Sequence, residues 1–486
     1  MLTLGDLLEA LTGTKPDWAT QVITEADIDS RHVIPGSLFI ALPGDRTDGH
    51  DFVSQAFAKG AVVSIIQREI EVERSEEKPV YILDFRDLEA VLREINNLGG
   101  QINPESRFCI LVENSLAALQ KMAGSWRRKL DLTVIGITGS VGKSTTKELI
   151  AEVLTQRYRT LKNPGNLNNE IGLPLTLLSL TEGHEKAVLE MGFYIPGEIA
   201  FLCELALPRI GVITNIGTVH AERAGSQEAI AKGKSELVQS LPPDPEGVAI
   251  LNIDDPLVRA MASQTRARVF YYGTDPTADL WADEIEGLGL EGIRFRLHYK
   301  NETLYVKVPL IGRHSVHTVL RAAAVGLVEG LTWEEIVSGL RSSSVQLRLV
   351  AVRTENGALI LDDTYNASPP STLAALNLLE ELEGRKVAVL GDMLELGPYE
   401  RQGHEIVGVR AAEVVNELVC FGERAKIIAN AAREAGLPEG AVVEMENDQQ
   451  VVDFLRPHLG PEDVVLVKGS RGMYMDRIVA ALEAPR

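Results

Sequence analysis

The sequence predicts an α/β protein of three domains: a small N-terminal α/β domain, a central doubly wound domain on a mostly parallel sheet, and a Rossmann-like C-terminal domain. Three observations predict it. The chain has 486 residues, more than one hydrophobic core usually organises. Short, almost wholly apolar runs alternate with stretches of helical length, the pattern of strands covered by helices on both faces. That alternation restarts twice, which places the domains at 1–103, 104–342 and 343–486.

In the first block the runs SLFIAL, AVVSII and PVYIL read as strands between helical stretches. A helical segment from Ser115 to Leu130 leads into the second block. There the strand LTVIGITG is followed by helix, the strand AVLEMG, the helix GEIAFLCELA, the strand RIGVITNIG, a further helix and the strand GVAILNID. The segments IRFRLHYK and ETLYVKVPL then turn β-like before the helix SVHTVLRAAAVGLVEG. The third block runs from the strand ALILDDTYN through a helix over residues 372–382 to the strand KVAVLGD. Helices then alternate with LVCFG and VVLVKGS, a second doubly wound pattern.

Composition bounds the function. Hydrophobic residues at 45% and charged ones at 24% are ordinary for a soluble globular protein. With 48 Lys and Arg against 69 Asp and Glu, the net charge of −21 argues against a nucleic-acid partner, which needs a broad positive face. A phosphate can still be held locally by backbone N–H groups and one or two cations. The three cysteines, Cys109, Cys203 and Cys420, lack the spacing of a zinc or redox site and read as buried small apolar residues. The start MLTLGDLLEALTG has neither the basic residues nor the cleavage site of a signal peptide, and no apolar run approaches membrane-spanning length. A cytoplasmic monomer with no membrane insertion is expected.

The sharpest local signal is Gly136-Ile-Thr138-Gly139-Ser140-Val141-Gly142-Lys143-Ser144-Thr145, which follows a strand and opens a helix. Glycines let the backbone approach a phosphate, and the helix N-terminus aims N–H groups at it. Lys143 adds a full charge, and the Ser144 hydroxyl suits magnesium. The strict phosphate-loop pattern would have glycine at Ile137. Such a loop implies a bound nucleoside triphosphate, and kinases, switches and ligases all share it.

This loop variant resembles that of the Mur ligase family, which builds the peptide of the bacterial cell wall. Matching stretches follow in order: N-P-G-N-L-N-N-E-I-G-L-P from Asn163, L-E-M-G from Leu189, T-N-I-G-T-V-H-A-E-R from Thr214 and A-K-G-K-S-E-L from Ala231. D-D-T-Y-N-A-S-P from Asp362, G-D-M-L-E-L-G from Gly391 and V-K-G-S-R from Val467 complete the set, so the resemblance spans nearly the whole chain. The pair G-N-L-N-N-E-I-G-x-P and D-D-x-Y-N-A looks like the branch that adds D-alanyl-D-alanine to UDP-N-acetylmuramoyl-tripeptide. The D-N-P-R motif of the sibling adding the third residue is absent from the sequence. The family's G-x-H-N-x-x-N stretch reads Gly312-Arg-His314-Ser315-Val-His-Thr318, with both asparagines replaced, so no adenine contact is carried over to Ser315 or Thr318.

The resemblance implies an ATP-dependent acid–amino-acid ligase of cytoplasmic peptidoglycan synthesis. ATP would phosphorylate a carboxylate, and an amine would attack the acyl phosphate, with release of ADP and phosphate. It implies two magnesium ions, one on Ser144 and Glu190, the other on His220 and a Lys234 carbamylated by carbon dioxide. Lys143, Glu190, His220 and Lys234 would be catalytic. By helical pattern alone Lys232 and Lys234 both read as solvated; the resemblance selects Lys234. Glu190 and His220 both follow apolar strands, at the carboxyl edge where open α/β sheets bind ligands.

ATP would contact Thr138 to Thr145, with Arg348, Asp363, Tyr365 and Asn366 from the last block. The UDP-linked substrate would meet Ser30 and Arg31 at its diphosphate, Asp48 and His50 beside the uracil, and Asn166, Asn168, Asn169 and Glu170. Lys468, Ser470 and Arg471 would face the cleft. Turn and cap chemistry would also place Asp, Asn and Gly in those loops. Two rivals stay open: a sibling ligase or folyl-polyglutamate synthetase with another acceptor, and a nucleotide-binding regulatory module without ligation.

Overall fold

A computed structural model describes residues 1–44, 47–72, 78–99, 102–218, 221–342 and 350–484. Its contacts group the chain into two compact units. One comprises Met1–Gly136, Tyr158–Gly192 and Ala200–Arg209, the other Ile137–Arg157, Phe193–Ile199 and Ile210–Arg486.

The first unit holds a five-stranded, all-parallel sheet in the order Ala26–Asp27, Leu38–Ile40, Val63–Ile66, Arg107–Leu111 and Val80–Asp84. Phe39, Val53, Phe57, Ile66, Cys109 and Leu111 share a core on this sheet. The three strands expected in this region are present. Arg107–Leu111 was not anticipated; it lies past the 103/104 boundary yet pairs within this sheet. The same unit carries Lys186–Glu190 paired in parallel with Thr160–Lys162. The buried Arg127 ties the end of the helix Ser115–Lys129 to the carbonyls of Leu130, Leu132 and Ala206.

In the second unit Ile210–Ile213, Val248–Asn252, Arg268–Gly273 and Leu280–Gly287 run parallel, and Ile293–Tyr299 and Glu302–Val308 extend the series antiparallel. The β-like character of IRFRLHYK and ETLYVKVPL therefore marks an antiparallel ribbon with alternating burial, as a ribbon with one solvated face requires. A six-stranded sheet follows, in the order Val350–Arg353, Leu359–Asp362, Asp463–Lys468, Arg385–Gly391, Glu417–Phe421 and Val442–Met445. Only its first strand is antiparallel. Alternate residues of its strands enter two cores. Leu361, Ala388, Leu390, Leu418, Cys420 and Leu466 face one, and Ile360, Val387, Val389, Val419, Val465 and Val467 face the other. Burial on both faces is the doubly wound arrangement expected for the C-terminal block.

All three cysteines are free and buried, as their spacing suggested. Among the described residues no helix is long and apolar enough to cross a membrane.

Candidate active site

Gly139 to Gly142 form a loop between the strand Thr133–Thr138 and the helix Lys143–Thr155. Gly139 has φ +148°, and a Cβ on it would stand 1.8 Å from Thr214 Oγ1, so only glycine fits. Gly142, at φ +82°, is the helix N-cap, and no side chain caps it. Glycine at the N-cap brings no side-chain oxygen to the first turn, which carries Ser144 and Thr145, and a helix N-terminus of this kind suits an anion.

The next strand end sets the loop's shape. Thr214 N–H donates to the buried Thr138 carbonyl at 3.0 Å, and Thr214 Oγ1 donates to Val141 O at 2.7 Å. Asn215 clamps Val141 from both sides: its Oδ1 accepts from Val141 N–H at 3.0 Å and its Nδ2 donates to Val141 O at 3.2 Å. Ser140 N–H donates to Asn215 O at 2.9 Å, and Ser140 Oγ accepts from Gly217 N–H at 2.8 Å. Lys143 folds back to donate to Gly139 O at 3.0 Å.

A second lysine reaches the same carbonyl. Ser226 caps the helix Gln227–Gln239, from which the wholly buried Lys234 sends Nζ to within 2.9 Å of Gly139 O and 4.8 Å of the Phe193 ring centre. Gly233 permits this, because a Cβ there would lie 2.1 Å from Phe193 Cε2. Lys232, on the same helix, is exposed.

In the first unit Glu190 ends the strand Lys186–Glu190 and is 3% exposed. The buried Asn163 bonds both its N–H, at 2.9 Å, and its carbonyl, at 3.2 Å. Asn168 Nδ2 donates to Glu190 Oε1 at 2.9 Å and aims the carboxylate. Asn169 accepts from the N–H groups of Ile171 and Gly172 as a cap, while Asn166 and Glu170 are exposed. The polar loop thus divides into an orienting residue, a cap and two solvated positions.

Ser30 is buried and donates to Gln55 Oε1 at 2.8 Å. Arg31 is exposed and paired with Asp29, whose carboxyl its guanidinium holds well below the usual carboxylate range. His50 accepts at Nε2 from Gln67 N–H at 2.9 Å, so its proton is on Nδ1, 2.5 Å from Asp48 Oδ1. Both ring nitrogens are engaged, and His50 braces the loop carrying Asp48.

In the second unit the nearly buried Lys468 pairs with Asp363 Oδ2 at 2.6 Å and donates to Asn366 O at 2.9 Å. The Arg471 guanidinium lies 5.7 Å from the ring centre of Tyr365, and Ser470 Oγ accepts from Leu394 N–H at 2.8 Å. These six residues form one cluster. A Cβ on Gly217 would stand 3.4 Å from Ser140 Cβ and 3.8 Å from Pro370 Cγ, so the helix Pro369–Glu381 begins beside the phosphate loop. His220 and Arg348 lie outside the described residues.

Asn163, Thr214 and Asn215 were not expected as site residues, although each sits in a motif quoted above. Their contribution is to hold a neighbour's backbone, which a residue type alone does not signal. Among the described residues no three His, Cys, Asp or Glu side chains cluster for a metal. Magnesium keeps several waters and needs few protein oxygens, so the Ser144 hydroxyl and the Glu190 carboxylate are the right kind of donor.

Comparison with known proteins adds three family matches: the Mur ligase middle domain at residues 137–326, the Mur ligase glutamate ligase domain at 347–471, and the Mur ligase family catalytic domain at 22–123. UDP-N-acetylmuramoyl-tripeptide–D-alanyl-D-alanine ligase of Bacillus subtilis is 36% identical, with 99% of each chain covered. The Escherichia coli protein of that name is 31% identical over 99% of this chain and 98% of its own. A crystal structure of MurF from Acinetobacter baumannii superposes with a TM-score of 0.81 at 30% identity, covering 99% of this chain and 98% of that one. MurF ligase of Thermotoga maritima in complex with ADP gives 0.76 at 27% identity, covering 98% of both chains.

Proposed function

The chain belongs to the Mur ligase family, and from that premise we infer that it joins D-alanyl-D-alanine to UDP-N-acetylmuramoyl-tripeptide at the expense of ATP, in peptidoglycan precursor synthesis. Relatives of that name aligned over nearly the whole chain support the substrates, and the ADP-bound relative supports the nucleotide. The observation that carries the reading is the convergence of Lys143 and Lys234 on Gly139 O, in a loop whose helix end has no side-chain cap. The Lys143 ammonium and a helix N-terminus meet where a γ-phosphate gathers negative charge during transfer, with Lys234 beside them as the residue to be carbamylated.

ATP phosphorylates the acceptor carboxylate, the amine attacks the acyl phosphate, and ADP and phosphate leave. Lys143 neutralises the transferring group. Ser144 and Glu190 would hold one magnesium ion, with Asn168 donating to the Glu190 carboxylate; His220 and a carbamylated Lys234 would hold a second. Bound magnesium would neutralise phosphate oxygens and polarise the phosphorus they surround. Thr138 to Thr145 cradle the phosphates, with Arg348, Asp363, Tyr365 and Asn366 completing the nucleotide site. Ser30, Arg31, Asp48, His50, Asn166, Asn168, Asn169 and Glu170 serve the UDP-linked substrate, and Lys468, Ser470 and Arg471 the cleft. The chain works as a cytoplasmic monomer in three domains, 1–103, 104–342 and 343–486.

ADP release tests the reading. D-alanyl-D-alanine with UDP-N-acetylmuramoyl-tripeptide should stimulate it strongly; stimulation by a single amino acid instead would give the chain a different acceptor.

A further inference from the structure

The helix Val316–Val328 brings to the phosphate loop a cation that none of the expected site residues includes. Arg321 is 4% exposed. Its Nη2 donates to Thr318 Oγ1 at 2.8 Å and lies 3.4 Å from where a Cβ on Gly142 would stand. Its Nη1 reaches Thr214 O and the Tyr272 hydroxyl, both at 3.4 Å. Thr214 is the residue whose own hydroxyl holds Val141 O. The guanidinium is therefore wedged between the last glycine of the loop and the strand end that shapes it.

Among the described residues these partners are all uncharged oxygens, and Arg321 Nε is buried with no hydrogen-bond partner. Burying a cation against uncharged oxygens is costly, and beside a phosphate loop an arriving anion would offset that cost. The two positions that depart from the family's asparagines spend their hydroxyls within the chain. Ser315 donates to Ile311 O at 2.7 Å, and Thr318 accepts from Arg321 and so aims it at the loop.

We propose that Arg321 is a nucleotide-positioning residue, whose buried charge against Gly142 is balanced by the phosphates of the nucleotide in the loop. The proposal rests on the ATP-dependent reading above. It makes the nucleotide site of this chain respond to phosphate charge through a residue outside the loop, fixed by Thr318.

The test uses the full chain and three proteins: wild type, Arg321→Met and Arg321→Lys. Calorimetry would measure ADP and adenosine binding, and thermal unfolding the ligand-free stability. Loss of one charge-assisted contact should weaken ADP binding to Arg321→Met by about tenfold. Arg321→Lys should recover most of that loss, and adenosine, which lacks phosphates, should bind the three proteins alike. Ligand-free Arg321→Met should melt no lower than wild type, because Thr214 O keeps the Tyr272 hydroxyl at 3.2 Å and no carboxylate loses its partner. Equal losses for ADP and adenosine, unchanged ADP affinity, or a variant that melts lower or fails to fold would each make Arg321 structural and overturn the proposal. Wild-type ADP binding without amine-stimulated ADP release would instead count against the ligase reading while leaving Arg321 standing.

Discussion

The Lys234 ammonium lies 2.9 Å from the carbonyl oxygen of Gly139, wholly buried, although 95 positions separate the two in the chain. The loop that Lys143 braces from its own helix is thus braced a second time from a helix three strands further along the chain.

Replacing Lys234 by Ala should lower kcat by about 100-fold or more, the scale for losing one preorganised charge contact. Lys232→Ala, at an exposed position, should stay near wild type. Short carboxylic acids should partly restore Lys234→Ala if a carbamate is what is missing. ADP release reads all three, and an active Lys234→Ala enzyme would remove this residue from the mechanism.

Gly139→Ala should abolish nucleotide binding, because its Cβ would enter Thr214 Oγ1 at 1.8 Å and the backbone sits at φ +148°. The stability cost should be about 1–3 kcal/mol, as for overpacking. ADP calorimetry with urea unfolding checks both, and a variant that binds ADP normally would show that the loop is not held as described.

Asn168→Ala removes the amide that donates to Glu190 Oε1 at 2.9 Å and leaves the strand residues in place. It should raise the magnesium concentration needed for half-maximal activity by about 10- to 100-fold, as loss of a residue orienting a metal ligand does. Asn163→Ala should cost about 1–3 kcal/mol of stability instead, since it removes the side chain that bonds the N–H and the carbonyl of Glu190. Magnesium titrations that do not shift for Asn168→Ala would separate Glu190 from the metal.

Lys468→Met removes the ammonium paired with Asp363 at 2.6 Å in a nearly buried setting, where Lys468 is 2% and Asp363 18% exposed. Breaking such a pair should destabilise the C-terminal sheet by about 3 kcal/mol. Asp363→Asn together with Lys468→Met should recover part of that loss. Denaturant unfolding of the two variants decides, and equal stabilities would mean the pair is energetically idle.

The phosphate loop was legible because glycine, lysine and a strand-to-helix switch are local demands. The doubly wound C-terminal block was legible because burial on both faces leaves continuous apolar runs such as VVLVK and KVAVLG. Arg107–Leu111 was less so: it is no shorter than the strands that were read, and its place in the first sheet is set by the neighbours it pairs with, Val63–Ile66 and Val80–Asp84.

What the sequence by itself determined is the chemistry available: a loop shaped for phosphate, two candidate lysines, and a polar run ahead of an acidic strand end. Only the tertiary structure decided which of these groups meet. It buried Lys234 and left Lys232 in water, made Asn168 a support for Glu190 and Asn169 a cap, and set Arg321 against Gly142. The physical reason is that local propensity depends on residues three or four apart. A charge's role depends on its distance from others and on its exclusion from water, which long-range packing alone sets.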